Sequence, residues 1–167
     1  FGTGTLLDSI RMHALLEEEF TNLRNIKTVL LGEHGSTCFI SQQLSSIQQE
    51  SILTFVSESQ VDQMLHKVKQ AADEIKQTQD ATLYGVSHCA IKLFEASLSK
   101  EATQLPVSTF TPKNWKFLNQ KQLALSLLAN ISQKGIFPAE HYVPNETESA
   151  FIQQSANQLS TCLKGLE

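Results

Sequence analysis

Between Val61 and Ile75 the apolar residues Val61, Met64, Leu65, Val68, Ala71, Ala72 and Ile75 recur at helical spacing, with polar residues in the positions between. That period predicts an amphipathic helix with one face against a core. A second helix is predicted over residues 8–20, with Ile10, Ala14 and Leu15 turned to one side. Glu17, Glu18 and Glu19 near its end form a solvated acidic run that opposes the helix dipole. Over residues 82–98 the pattern changes: Leu83, Tyr84, Val86, Cys89, Ala90, Ile91, Leu93 and Phe94 leave little polar face. This predicts a helix buried in the middle of a domain, with Thr82 at its N-terminus, where free amides and the dipole favour an anion.

β-rich runs predict strands over residues 28–31 and 38–40, on either side of a Gly-Glu-His-Gly turn. Further strands are predicted over Thr103–Phe110 and residues 123–131, with Lys134-Gly135 turning into another through Ile136-Phe137. The Ser/Gln-rich stretch 41–51 predicts mostly loop. Asn145-Glu146-Thr147-Glu148 has capping-box spacing ahead of a C-terminal helix with Phe151, Ser155, Leu159, Cys162 and Leu166 on one face. Helices and hairpin-like strands without a regular βαβ alternation predict an α+β fold, an antiparallel sheet packed with long helices.

The 167 residues suffice for one well-buried core, so a single domain over 1–167 is expected. A net charge of −4, a pI near 5.7 and scattered Lys and Arg give no basic footprint, which argues against nucleic acid as a partner. The longest apolar runs, such as 123–129, are too short to span a bilayer, so no membrane role is expected. Cys38, Cys89 and Cys162 are odd in number and lack metal-ligand spacing; they read as buried small hydrophobes in a reducing cytoplasm, and no metal is expected. With no signal-peptide pattern and no initial methionine, the opening Phe1-Gly2-Thr3-Gly4-Thr5 reads as the middle of a longer protein.

The candidate chemistry centres on Gly32-Glu33-His34-Gly35. Flanking glycines let the backbone turn sharply and keep an imidazole accessible, and histidine is the side chain whose ordinary pKa lies nearest neutrality. Asp8 and Arg11, one helical turn apart, offer an acid to orient a proton carrier and a guanidinium to hold an anion. The blander alternatives are a turn histidine with no role and a surface ion pair. His13, His66, His88 and His141 read as surface or core-edge residues, and Met64 and Trp115 as packing.

Three blocks in order, 2–12 around Asp8 and Arg11, Leu31-Gly32-Glu33-His34-Gly35, and Ala81-Thr82-Leu83-Tyr84-Gly85, resemble the C-terminal, substrate-binding half of the L-lactate/malate dehydrogenase family. The resemblance is clear from Phe1 to about Leu98 and weaker beyond. It implies an NAD-dependent L-2-hydroxy-acid dehydrogenase, lactate-like, in which His34 exchanges the proton and Asp8 pairs with it. It further implies that Arg11 grips the substrate carboxylate, Thr82 hydrogen-bonds on the substrate side, and Thr3 and Val86 lie beside the nicotinamide. The implied partners are a small 2-oxo or 2-hydroxy acid, an N-terminal Rossmann domain of the same protein, and a further copy in a homodimer or tetramer, paired through the helix over residues 8–20 and its neighbours. No G-x-G-x-x-G follows a strand in this sequence, so the NAD would be held mainly by that Rossmann half, and this chain alone is expected to be inactive.

Ser36 stands where the family usually has Asp or Asn. Leu127-Leu128 replaces a common proline, and residues 100–122 fit poorly. These departures leave two alternatives beside the lactate reading: a malate or branched 2-hydroxy-acid dehydrogenase, or an inactive paralogue kept as an assembly domain.

Overall fold

The computed structural model describes residues 1–78, 82–118 and 123–164; Ala81 of the third block and Leu166 of the C-terminal face lie outside them. The chain begins with α1 (Leu6–Glu19). Short strands follow: β1 (Ile26–Lys27), β2 (Leu30–Leu31), β3 (Phe39–Ile40), β4 (Ser46–Ile47) and β5 (Glu50–Ser51). After a 3-10 turn at Ile52–Thr54 come α2 (Glu58–Thr78) and α3 (Leu83–Leu98), then β6 (Thr103–Phe110), β7 (Ala124–Ser132), β8 (Gly135–Pro138) and α4 (Glu146–Lys164). All strand pairs are antiparallel: β1-β4-β5, β2-β3 and β6-β7-β8. The fold is α+β, as the sequence predicts.

Alternation along β2 places the site. Leu30 and Ile40 belong to one core with Met12 and Leu16 of α1 and Val61, Met64 and Val68 of α2. Leu31 and Phe39 turn the other way, into a core with Leu125, Leu127 and Leu128 of β7 and Ile152 and Ala156 of α4. The β2-β3 pair is therefore a partition between α2 and α4, and the residues between its strands emerge from it as a loop. Gly32, at the end of β2, exchanges backbone hydrogen bonds of 2.9 and 2.8 Å with Ser126, which ties that loop to the centre of the larger sheet.

Several expectations are corrected. In α1 the buried residues are Leu6, Asp8, Ser9, Met12 and Leu16, while Ala14 is exposed and Ile10 and Leu15 are half-buried. Residues 41–51 are mostly loop, as predicted, but they hold a short hairpin that the sequence does not announce: Gln48 and Gln49 adopt positive φ (52° and 70°) and turn β4 into β5. Ile47, fully buried, anchors that hairpin against β1. The first predicted strand shortens to Leu30–Leu31, with Ile26–Lys27 pairing elsewhere.

The α3 helix is not buried all round. Cys89, Leu93 and Ala96 pack against Leu6, Val107, Ala129 and Ile131, while Leu83, Tyr84, Ile91, Phe94 and Leu98 are 57–84% exposed. In α4 the inward face is Glu148, Ile152, Ser155 and Ala156; Phe151 is 41% exposed and Cys162 is exposed, so that cysteine is not a core residue. The capping box is half formed. Asn145 Oδ1 accepts from the Glu148 amide at 2.9 Å, but the Asn145 amide donates to Gln43 Oε1, and the Glu148 carboxylate turns inward.

Candidate active site

Asp8 sits in the first turn of α1, and that turn is laced to the strands by small hydroxyl side chains. Thr5 Oγ1 donates to the Leu30 carbonyl at 2.5 Å, and the Thr5 amide donates to Ser126 Oγ at 2.9 Å. Ser9 Oγ accepts from the Leu30 amide at 2.9 Å, and Thr28 Oγ1 donates to the Ser9 carbonyl at 2.7 Å. These bonds, three of them buried, set α1 against β2, so Asp8 and the loop that follows β2 meet. The sequence reading missed all four residues. A faint signal existed: Ser126 is the one hydroxyl within the apolar run 123–129.

His34 Nδ1 lies 2.6 Å from Asp8 Oδ2. The other carboxylate oxygen, Oδ1, is 3.7 Å from Arg11 Nη1, a charge contact too long for a hydrogen bond. The Asp8 side chain is 5% exposed and that of His34 57% exposed, so a buried anion holds an accessible ring. The hydrogen bond to Asp8 raises the His34 pKa, against the opposing effect of partial burial; the charges of Asp8 and Glu33 add to the rise and that of Arg11 subtracts. Because Asp8 accepts at Nδ1, that nitrogen carries its proton, and Nε2 is left as the nitrogen that gives or takes one.

Arg11 also reaches a cavity of about 210 Å3 between α1, the end of α2 and the start of α3. Its lining includes Thr82, Leu7, Ile75 and Gly85. Thr82 precedes α3 without using its side chain as a cap, so its hydroxyl is not spent on the helix it introduces. Gly85 allows the close approach of the two helices: a Cβ there would stand 2.9 Å from Leu7 Cδ1. The structure thus brings Asp8, Arg11 and His34 together and sets Thr82 on a shared cavity with Arg11. Asp8 and His34 do not themselves line that cavity, and Arg11 is what joins it to the pair; Thr3, half-buried before α1, and Val86, 44% exposed on α3, do not line it either.

Among the described residues no helix is long and apolar enough to cross a membrane. The model of the lactate/malate dehydrogenase alpha/beta C-terminal domain matches residues 5–166. L-lactate dehydrogenase of Borrelia hermsii is 28% identical over 173 residues, covering 99% of this chain and 54% of the relative. A lactate dehydrogenase from a Medee basin deep-sea metagenome library superposes with a TM-score of 0.84 at 25% identity, over 98% of this chain and 54% of that one. Malate dehydrogenase of Salinibacter ruber shares the fold, with a TM-score of 0.84 at 17% identity over 98% of this chain and 53% of its own. The chain spans about half the length of the curated relatives it matches. With the three blocks, the antiparallel α+β architecture and a match over almost its whole length, the chain belongs to the lactate/malate dehydrogenase family, as the alpha/beta C-terminal domain.

Proposed function

We propose that this chain is a single domain, the substrate-binding and proton-transferring half of an NAD-dependent L-2-hydroxy-acid dehydrogenase, most simply of lactate type. The observation that carries the reading is the shared carboxylate of Asp8, which holds His34 by one oxygen and faces Arg11 with the other. Reduction of a 2-oxo acid needs a hydride at the carbonyl carbon and a proton at its oxygen. The imidazolium of His34 donates that proton from Nε2, and the buried Asp8 anion stabilises the charge the ring carries beforehand. Arg11 binds the substrate carboxylate through its planar fork, which fixes the direction of the carbonyl as well as the charge. The Thr82 hydroxyl hydrogen-bonds the acid from the α3 side of the cavity. At about 210 Å3 that cavity is below the roughly 300–1,000 Å3 of sites for larger ligands.

NAD supplies or takes up the hydride when bound. Val86 and Thr3 have the accessibility and chemistry to lie against a nicotinamide ring, one apolar and one a small hydroxyl. The phosphates fall to a Rossmann domain in the rest of the protein. The chain by itself is therefore expected to give no NADH oxidation with pyruvate. In the full-length protein Arg11→Lys should cost one charge-assisted hydrogen bond, about 1.5–3 kcal/mol, or about ten- to a hundredfold in kcat/KM. Indifference to that change would favour a domain kept only for assembly.

Malate dehydrogenases share this fold at similar TM-scores, so malate-type or branched-acid specificity is the second reading. Relative kcat/KM over a panel of 2-oxo acids decides between them. A second copy of the protein is the proposed partner, seated on the exposed apolar side of α3.

A further inference from the structure

The loop that presents His34 contains Gly32 and Gly35, the residues with the most backbone freedom to lose on ordering. Its imidazole is more than half exposed and is held by one hydrogen bond to Asp8. A single contact on a loose loop would be transient, so what orders the loop matters as much as the contact. Three side chains do so. Within the loop, Glu33 Oε2 accepts from the Thr37 hydroxyl at 2.7 Å and from the Thr37 amide at 3.3 Å. A Cβ at position 35 would meet that carboxylate, so a larger residue there would displace Glu33 from Thr37. From α2, Lys69 Nζ donates to the Ser36 carbonyl at 2.8 Å. From α4, the fully buried Ser155 donates through Oγ to the Thr37 carbonyl at 3.0 Å. Ser155 also fills the space that a Cβ on Gly32 would need.

We propose that Lys69 and Ser155 are positioning residues for His34: from opposite sides of the β2-β3 partition they fix successive carbonyls of its loop and so hold the imidazole on Asp8. The catalytic meaning of this rests on the dehydrogenase reading; the positional claim does not. It also gives Ser36 a role that its side chain does not reveal, because the position is gripped through its backbone.

The sign of a titration separates positioning from simple electrostatics. The charged groups acting on His34 are Asp8 and Arg11 from α1 and Glu33 from its own loop; Lys69 of α2 reaches that loop at the Ser36 carbonyl, and α4 presents the neutral Ser155. Removing the Lys69 cation takes a positive charge away from the loop, which by charge alone cannot lower the His34 pKa. Loosening the loop weakens the hydrogen bond to Asp8 and lowers it toward the ordinary value of about 6.5.

The experiment is an NMR titration of the His34 ring in this chain with Lys69→Met, Lys69→Arg and Ser155→Ala, each checked by circular dichroism for an intact fold. Lys69→Met and Ser155→Ala should each lower the His34 pKa and broaden its ring signals, and Lys69→Arg should restore the parent value. A value unchanged or raised in a folded variant overturns the assignment for that residue. If Ser155→Ala fails to fold, Ser155 is a core residue and its assignment falls, while the partly exposed Lys69 is judged separately. A full-length protein that reduces no 2-oxo acid, with the titrations shifting as stated, would sink the dehydrogenase reading and leave the positional one. Turnover with unmoved titrations would do the reverse.

Discussion

His34 gains a proton more readily in the folded chain than in the unfolded one, because its hydrogen bond to the buried Asp8 favours the imidazolium. A raised folded pKa stabilises below the unfolded value of about 6.5 and loses that contribution as pH rises through the folded value. Replacing His34 by Asn should therefore lower the thermal midpoint most at about pH 5.5, with the difference shrinking above neutrality. Melts of the two proteins across that range check it, and a pH-independent gap would mean that the ion pair is not what the substitution removes. Cysteine chemistry follows burial in the same way. Burial pushes the Cys38 thiol up to about 11 and raises that of Cys89, while Cys162 is exposed. Native alkylation with iodoacetamide near pH 8 should modify Cys162 quickly and the other two only on unfolding, as peptide mass mapping would show.

Among the elements, α4 carries a buried carboxylate that the sequence reading assigned to a cap. Glu148 accepts from the Tyr142 hydroxyl at 2.5 Å, from Ser41 Oγ at 2.9 and 3.0 Å, and from the Gln43 amide at 3.1 Å, which joins α4 to the segment after β3. Burial first, and then the Glu148 hydrogen bond, hold the Tyr142 phenol well above its ordinary pKa, so it remains a donor at any working pH. Glu148→Ala strands these donors and should cost about 3 kcal/mol in urea unfolding, with little change in m-value. A cost below about 1 kcal/mol would mean that water replaces the carboxylate. Elements whose signal is local were legible. The α2 stripe is periodic, and Thr103–Phe110 forms a strand over the predicted residues. Elements decided by tertiary contacts were not, since a Gln-Gln turn with positive φ has no propensity signature and the inward face of α4 is set by a polar network. The site divides likewise. Asp8, Arg11 and His34 could be paired from motif order, whereas Thr5, Ser9, Lys69 and Ser155 act through backbone groups that leave no spacing to read.

At the scale of the whole molecule, the apolar surface of α3 is out of balance with the rest of the chain. Tyr84, Ile91, Phe94 and Leu98 recur at intervals of seven, three and four residues and are 84, 57, 65 and 63% exposed, so they form one stripe rather than scattered surface residues. A contiguous apolar stripe on a helix is expected to be covered, and within this chain α3 is covered only on the side that holds Cys89, Leu93 and Ala96. The α1 helix, expected from sequence to carry the pairing surface with its neighbours, buries Met12 and Leu16 in the core and shows Ala14 and three glutamates to solvent, so the larger exposed apolar area lies on its neighbour α3. Self-association proposed for this chain should therefore be governed by α3. Replacing Ile91 and Phe94 together by Glu leaves the buried residues of α3 in place and sets four like charges on the stripe of each pair. Sedimentation equilibrium of the parent should show a concentration-dependent dimer, and the double variant should remain monomeric with an unchanged thermal midpoint at low concentration. A parent that is a clean monomer at high concentration would remove the second copy as occupant of this face.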